Sequence, residues 1–221
     1  MTGAVSGVRR KARRRLLLGV STAAALTFSA LAVILFRGET TAFDAALRTT
    51  VAGVHSSSLH VFSLALSWAG SFRVLGPLAG AVALWLWSRE RRRASTTAGL
   101  MSMSSVLITW ALKGLFHRTR PLGAVAFPEL GYSFPSGHSL DTMAIAVTFT
   151  YVLYREDLAP RWAIGAAIIF SLLVGMSRVY LDVHWATDVI GGWCLGAVIA
   201  ASCAFLYESP QNPPDVSPDV M

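Results

Sequence analysis

Six apolar stretches run through the sequence, at roughly residues 16–36, 71–87, 94–116, 138–154, 161–179 and 186–207, with most of the charge lying between them. In hydrocarbon a backbone must satisfy its own hydrogen bonds, and about 20 helical residues cross a bilayer core of about 30 Å. The pattern therefore predicts an all-α bundle of six transmembrane helices. The second run holds Arg73, Gly76 and Pro77 and is short, so tilt or local thinning is expected there. Composition agrees: 54% of residues are hydrophobic and 14% charged, against a charged share of about 25% in soluble domains.

The basic segment before the first run resembles the start of a secretory leader. The apolar run is too long for a leader core, and "VILFRGETT" offers no clean small-residue cleavage site, so an uncleaved first helix is expected. Orientation follows from the cations. A cytoplasmic N-terminus puts 12 of the 19 Lys and Arg residues on the inner side, in the clusters Arg9–Arg15, Arg89–Arg93 and Arg155–Arg161. The net charge of +7 sits beside apolar spans, which suits anionic lipid headgroups rather than nucleic acid. Residues 1–15 then form a basic cytoplasmic N-terminus, 16–207 the membrane domain, and the proline-rich residues 208–221 a disordered cytoplasmic tail.

Between the first two runs, Phe43, Leu47, Val51 and Val54 recur at helical spacing, predicting an amphipathic helix in the outer interface. Cys194 and Cys203 share one predicted helix on opposite faces and are expected to be packing residues.

Under this orientation three polar islands reach the external ends of the spans. They are "KGLFHRTRP" (Lys113 to Pro121), "PSGH" (Pro135 to His138) and "SRVYLDVHWATD" (Ser177 to Asp188). Lys113, Arg120 and Arg178 supply positive charge, and the planar guanidinium fork suits phosphate oxygens. Ser136 and Gly137 stand where a helix starts, so their amides can face an anion. His184 and Asp188 are four apart and would share a face on a helix, where the carboxylate can fix the imidazole tautomer. His138 remains as a proton donor. A nucleophilic histidine, an orienting carboxylate and a separate acid are the parts of covalent phosphoryl transfer. Singly, each residue has a plainer explanation, such as a snorkelling lysine, a helix cap or a structural His–Asp pair. Their joint occurrence at one membrane face does not.

The strings Lys-x6-Arg-Pro, Pro-Ser-Gly-His and Ser-Arg-x5-His-x3-Asp, in that order, resemble the signature of the type 2 phosphatidic acid phosphatase superfamily. The resemblance covers roughly residues 40 to 207. It implies His184 as the nucleophile that becomes phosphohistidine, Asp188 as its orienting partner and His138 as the acid for the leaving group. Lys113, Arg120, Arg178 and the Ser136–Gly137 backbone would hold the phosphoryl oxygens, with no metal and no cofactor. The implied activity is that of an integral plasma-membrane lipid phosphatase acting at the external face. Undecaprenyl diphosphate is favoured as substrate, with phosphatidate and phosphatidylglycerophosphate close behind. The alternative from another class is a membrane protein that binds or transports a phosphate anion without cleaving it. Asp141 is expected to tune His138 or to cap its helix, Asp182 to repel an acidic headgroup or pair with Arg178, and His117 and Arg118 to line the entrance or lie at the surface.

Overall fold

The computed structural model describes residues 2–37, 40–121 and 131–208, and the side chains from residue 11 onward within them. The expected tail therefore lies outside the described residues, except for Glu208.

The chain is all-α. Helix α1 (Thr2–Leu35) is followed by α2 (Ala42–Ala52), α3 (Ser57–Ala69), α4 (Phe72–Ser88) and α5 (Arg92–Phe116). Helix α6 (Gly137–Asp141) continues through a π turn (Thr142–Ala146) into α7 (Val147–Arg155), and α8 (Trp162–Tyr180) and α9 (Ala186–Tyr207) complete the order. Among the described residues four helices are long and apolar enough to cross a membrane: α1 from Lys11, α5, α8 and α9. A fifth crossing arises when α3 and α4, bent by 41° at their junction, are taken as one broken span. This differs from the expected run at 71–87 because the apolar sequence "SSLHVFSLALSWA" is itself helical. The expected span at 138–154 corresponds to α6–π–α7, whose pieces of 5, 5 and 9 residues are each shorter than the spanning helices.

Local signals place the breaks. Thr41 caps α2 by accepting the Asp44 amide at 3.1 Å, and Ser56 caps α3 by accepting that of Leu59 at 3.3 Å. Helix α5 ends at His117, whose φ of 47° is left-handed and whose amide bonds the Lys113 carbonyl. That reversal turns the following residues back over the bundle end.

Helix α9 lies at the centre of the bundle. Gly192 and Gly196 on α9 allow α6 to approach to backbone contact: a Cβ at Gly192 would sit 2.7 Å from the Ser136 carbonyl oxygen, and one at Gly196 would sit 2.6 Å from that of Leu140. Helix α1 packs along α9, with Phe28 stacked on Phe134 at 5.7 Å and Leu35 buried beside Phe116. A second core joins Leu75, Leu86, Ala98, Phe149, Val152 and Cys203 from α4, α5, α7 and α9. Both cysteines are free.

At the end of the bundle away from the polar islands, Glu208 is buried. It accepts from Arg13 at 2.6 Å and from the Tyr151 hydroxyl at 2.6 Å, and also pairs with Arg155. Three partners from α1 and α7 thus hold Glu208. Arg91 pairs with Glu156 at this same end. The helix lengths and composition make the chain a multi-pass integral membrane protein.

Candidate active site

Four helix termini converge at the opposite end. The C-terminus of α5 delivers Lys113 and the turn beyond it Arg120, the start of α6 brings Gly137 and His138, the end of α8 brings Arg178, and the turn before α9 brings His184. These side chains line a cavity of about 480 Å³, with exposed Phe72, Trp110 and Tyr132 among its lining residues. A larger cavity of about 540 Å³ lies between α2 and the α8–α9 turn, but Arg48 there is already paired with Asp182. The reactive groups belong to the smaller one.

His184 is buried at 3% exposure. Its Nε2 lies 3.0 Å from Arg120 Nη1, and its Nδ1 faces Asp188 Oδ2 at 3.4 Å. A guanidinium only donates, so Nε2 is the acceptor and Nδ1 carries the hydrogen toward the carboxylate. The nitrogen that bears no hydrogen is therefore the one beside Arg120, which lines the cavity as His184 does. Burial holds the His184 pKa well below its ordinary value, and the charges of Arg120, Lys113 and Arg178 push it further down.

Arg120 is fixed by carbonyls: its Nε donates to Gly131 at 2.7 Å, Nη2 to Tyr132 at 3.1 Å and Nη1 to Val183 at 2.6 Å. Burial lowers its pKa to about 10, which leaves it cationic at neutral pH. Lys113 Nζ donates to the Tyr132 carbonyl at 2.8 Å, keeping two of its three donors for other partners. Arg178 is buried, donates through Nη1 to the Ser67 hydroxyl, and has no partner at Nε among the described residues. Buried donors without acceptors cost free energy, which an anion in the cavity would offset.

Seven of the eight expected site residues assemble here: Lys113, Arg120, Gly137, His138 and Arg178 around the cavity, with His184 in its wall and Asp188 behind it. Ser136 is placed differently. Its amide donates to the Asp188 carbonyl at 3.0 Å and its side chain is fully buried, so it ties the start of α6 to that of α9. Asp141 also lines the cavity but accepts from Ser105 at 3.0 Å, which places its carboxylate against α5 instead of in solvent.

Two expectations are corrected. Arg118 is neither at an entrance nor at the surface. It is fully buried, donating to Asp188 Oδ1 at 2.6 Å, to Asp44 Oδ2 at 2.7 Å and to Thr187 at 2.8 Å. Asp182 does not meet Arg178; both its oxygens take the Arg48 fork, at 2.7 Å each. The sequence also gave no sign of Asp44, Ser67, Ser133 and Thr187. Asp44 accepts from the Thr187 amide at 2.9 Å and hydroxyl at 2.8 Å. Burial alone would raise its pKa, but these bonds and Arg118 hold it below the ordinary value. Ser133 donates its hydroxyl to Asp188 Oδ2, which also accepts the Trp185 amide at 2.9 Å.

Comparison with known proteins agrees with this geometry. Residues 94–210 match the PAP2 superfamily. The chain is 36% identical over 97 residues to phosphatidylglycerophosphatase B of Bacillus subtilis, covering 42% of this chain and 48% of that one. It therefore spans about half the length of that relative. It is 28% identical over 159 residues to the putative undecaprenyl-diphosphatase YbjG of Escherichia coli, covering 67% of this chain and 75% of that one. In three dimensions it resembles the crystal structure of the first transmembrane PAP2-type phosphatidylglycerolphosphate phosphatase from Bacillus subtilis. The TM-score is 0.76 at 25% identity, over 85% of this chain and 96% of that chain. More than half of the chain matches the family, with its three polar islands gathered around one cavity, and the chain belongs to the PAP2 superfamily.

Proposed function

We propose that the protein hydrolyses a lipid phosphate or diphosphate by double displacement through a phosphohistidine on His184. The carrying observation is the placement of His184 in the cavity wall, with Nε2 beside Arg120 and the ring backed by Asp188. Nε2 attacks phosphorus as the bond to the leaving oxygen breaks, and His138 gives that oxygen its proton. Water then attacks the phosphohistidine, with His138 taking the proton back, and phosphate leaves. Lys113, Arg120 and Arg178 offset the charge on the three equatorial oxygens in both steps, with the Gly137 amide beside them. The cations are supplied by the chain, which supports metal-independent chemistry. A protein that only binds or transports phosphate would gain nothing from an oriented histidine tautomer.

Six crossings fit this reading: α1, α3–α4, α5, α6–α7, α8 and α9, with Gly137–Arg155 about 28 Å long at the helical rise. With Arg13, Arg91 and Arg155 at the far end, the positive-inside rule puts the termini in the cytoplasm and the cavity at the external face of the plasma membrane. A lipid whose phosphate lies at headgroup depth can reach the cavity with its tail still in the bilayer, past exposed Phe72 and Trp110. Undecaprenyl diphosphate is favoured because its diphosphate matches three cations. Phosphatidylglycerophosphate and phosphatidate are the rivals, and the names of the relatives above support the first two.

The test is kcat/KM for these three lipids and a short soluble phosphate ester in identical micelles. Lipids are expected to be the better substrates, because tail contacts hold them near the site. Preference for the soluble ester would overturn the lipid assignment, and preference for a glycerolipid would overturn the choice of carrier.

A further inference from the structure

The turn that carries His184 is gripped from both sides by one helix outside the cavity. Asp44 and Arg48 are four residues apart on α2 and so share a face. Arg48 holds both oxygens of Asp182, two residues before His184. Asp44 holds the amide and hydroxyl of Thr187, three residues after it, and shares Arg118 with Asp188. Between them the Trp185 ring lies 5.8 Å from the guanidinium carbons of both Arg48 and Arg118, and its Nε1 donates to the Thr119 carbonyl at 2.9 Å. Asp182 has a φ of 53°, left-handed and costly for a side-chain-bearing residue unless its surroundings hold it. The fork of Arg48 supplies such a hold.

We propose that α2 is a clamp on the nucleophile-bearing turn, and that Asp44 and Arg48, with Arg118 through Asp188, are positioning residues for His184. None of the three is among the cavity-lining residues. The arrangement makes the helix at the outer interface part of the catalytic apparatus. Its apolar residues Phe43, Leu47 and Val51, with Val54 just beyond its end, line a groove of about 390 Å³ that α3, α8 and α9 also border. Loosening the grip lets the imidazole drift from the line of attack while the phosphate-holding cations stay in place. A shift of about 1 Å is enough to cost up to about 100-fold in rate.

This inference rests on the phosphatase reading above, and one experiment separates the two. Turnover of undecaprenyl diphosphate and phosphatidylglycerophosphate is measured in the same micelles for the wild type, Arg48→Gln, Arg48→Lys, Asp182→Asn, Asp44→Asn and the Arg48→Gln/Asp182→Asn pair. Asparagine tolerates the left-handed backbone, so Asp182→Asn removes the ion pair alone. Arg48 and Asp182 are partly exposed, so these variants are expected to fold even if Asp44→Asn does not. The expected result is a fall in kcat of at least about 10-fold in Arg48→Gln and Asp182→Asn, with KM and vanadate inhibition unchanged. Arg48→Lys should recover most of the loss, and the pair should be no worse than either single variant. Unchanged kcat in both single variants, or additive losses in the pair, would overturn the clamp. A wild type that turns over neither these two lipids nor phosphatidate would overturn the phosphatase reading and the clamp with it.

Discussion

The Nε2 atom of His184 lies 3.0 Å from Nη1 of Arg120, so the proposed nucleophile and one of the three proposed phosphate-holding cations are in direct contact. The same guanidinium is braced by the carbonyls of Gly131, Tyr132 and Val183. Arg120→Lys keeps the charge but loses the fork, and Lys cannot make the parallel bonds that brace it. Its kcat is expected to fall by about 100-fold, the scale for losing one transition-state donor. Steady-state kinetics in micelles checks this, with a change below about threefold counting against the role.

The two histidines should fail differently. His184→Ala removes the atom that attacks phosphorus and is expected to abolish turnover. His138→Ala removes the proton donor and should slow the reaction by about 100-fold to 10,000-fold while leaving vanadate binding intact. Substantial turnover by His184→Ala would refute the assignment.

Acidification should affect stability before it affects the nucleophile. The folded-state pKa of His184 lies below its unfolded value of about 6.5, through burial first and the neighbouring cations second. The unfolded chain therefore binds the proton first. The contribution of the neutral imidazole to stability is present above about pH 6.5 and is lost as the pH falls from there toward the folded value. The expected outcome is a Tm in detergent that drops below pH 6.5 more in the wild type than in His184→Gln. Equal drops in both would contradict it.

Gly196→Ala tests the packing that brings α6 to α9. Its Cβ would lie 2.6 Å from the Leu140 carbonyl oxygen and 2.7 Å from the Met143 Cβ, neither of them the end of a flexible side chain. A destabilisation of about 1–3 kcal/mol is expected, the usual cost of overpacking a tight core. Thermal unfolding in detergent reports it, and an unchanged Tm would refute the close approach.

The cavity was largely legible in the sequence because most of its polar lining sits in three short strings of recognisable residue types. Lys113, Arg120, His138, Arg178, His184 and Asp188 could each be assigned from charge, helical register and resemblance. The scaffold behind them was not. Arg118 looks like any cation in a helix-flanking turn, and only the left-handed cap at His117 turns it inward to Asp44 and Asp188. Asp44 sits on a helix recognisable by its apolar stripe, yet its partner Thr187 is 143 residues away and no periodicity connects them. The bent α3–α4 pair was missed for a local reason: its serines and His60 break the hydropathy of a helix whose Ser63 and Ser67 in fact face inward. The acceptor of the Ser136 amide was not legible, because a helix N-terminus shows which amides are unpaired within the helix whereas the Asp188 carbonyl comes from tertiary packing.

The most direct test of the central claim is to quench the enzyme during turnover of a lipid substrate labelled in its phosphate, and to locate the label. A phosphoenzyme that is acid-labile and base-stable is predicted, with the phosphate mapped by mass spectrometry to His184 and absent from His184→Ala. Label on another residue, or turnover of the labelled lipid with no phosphoenzyme trapped at any time point, would contradict it.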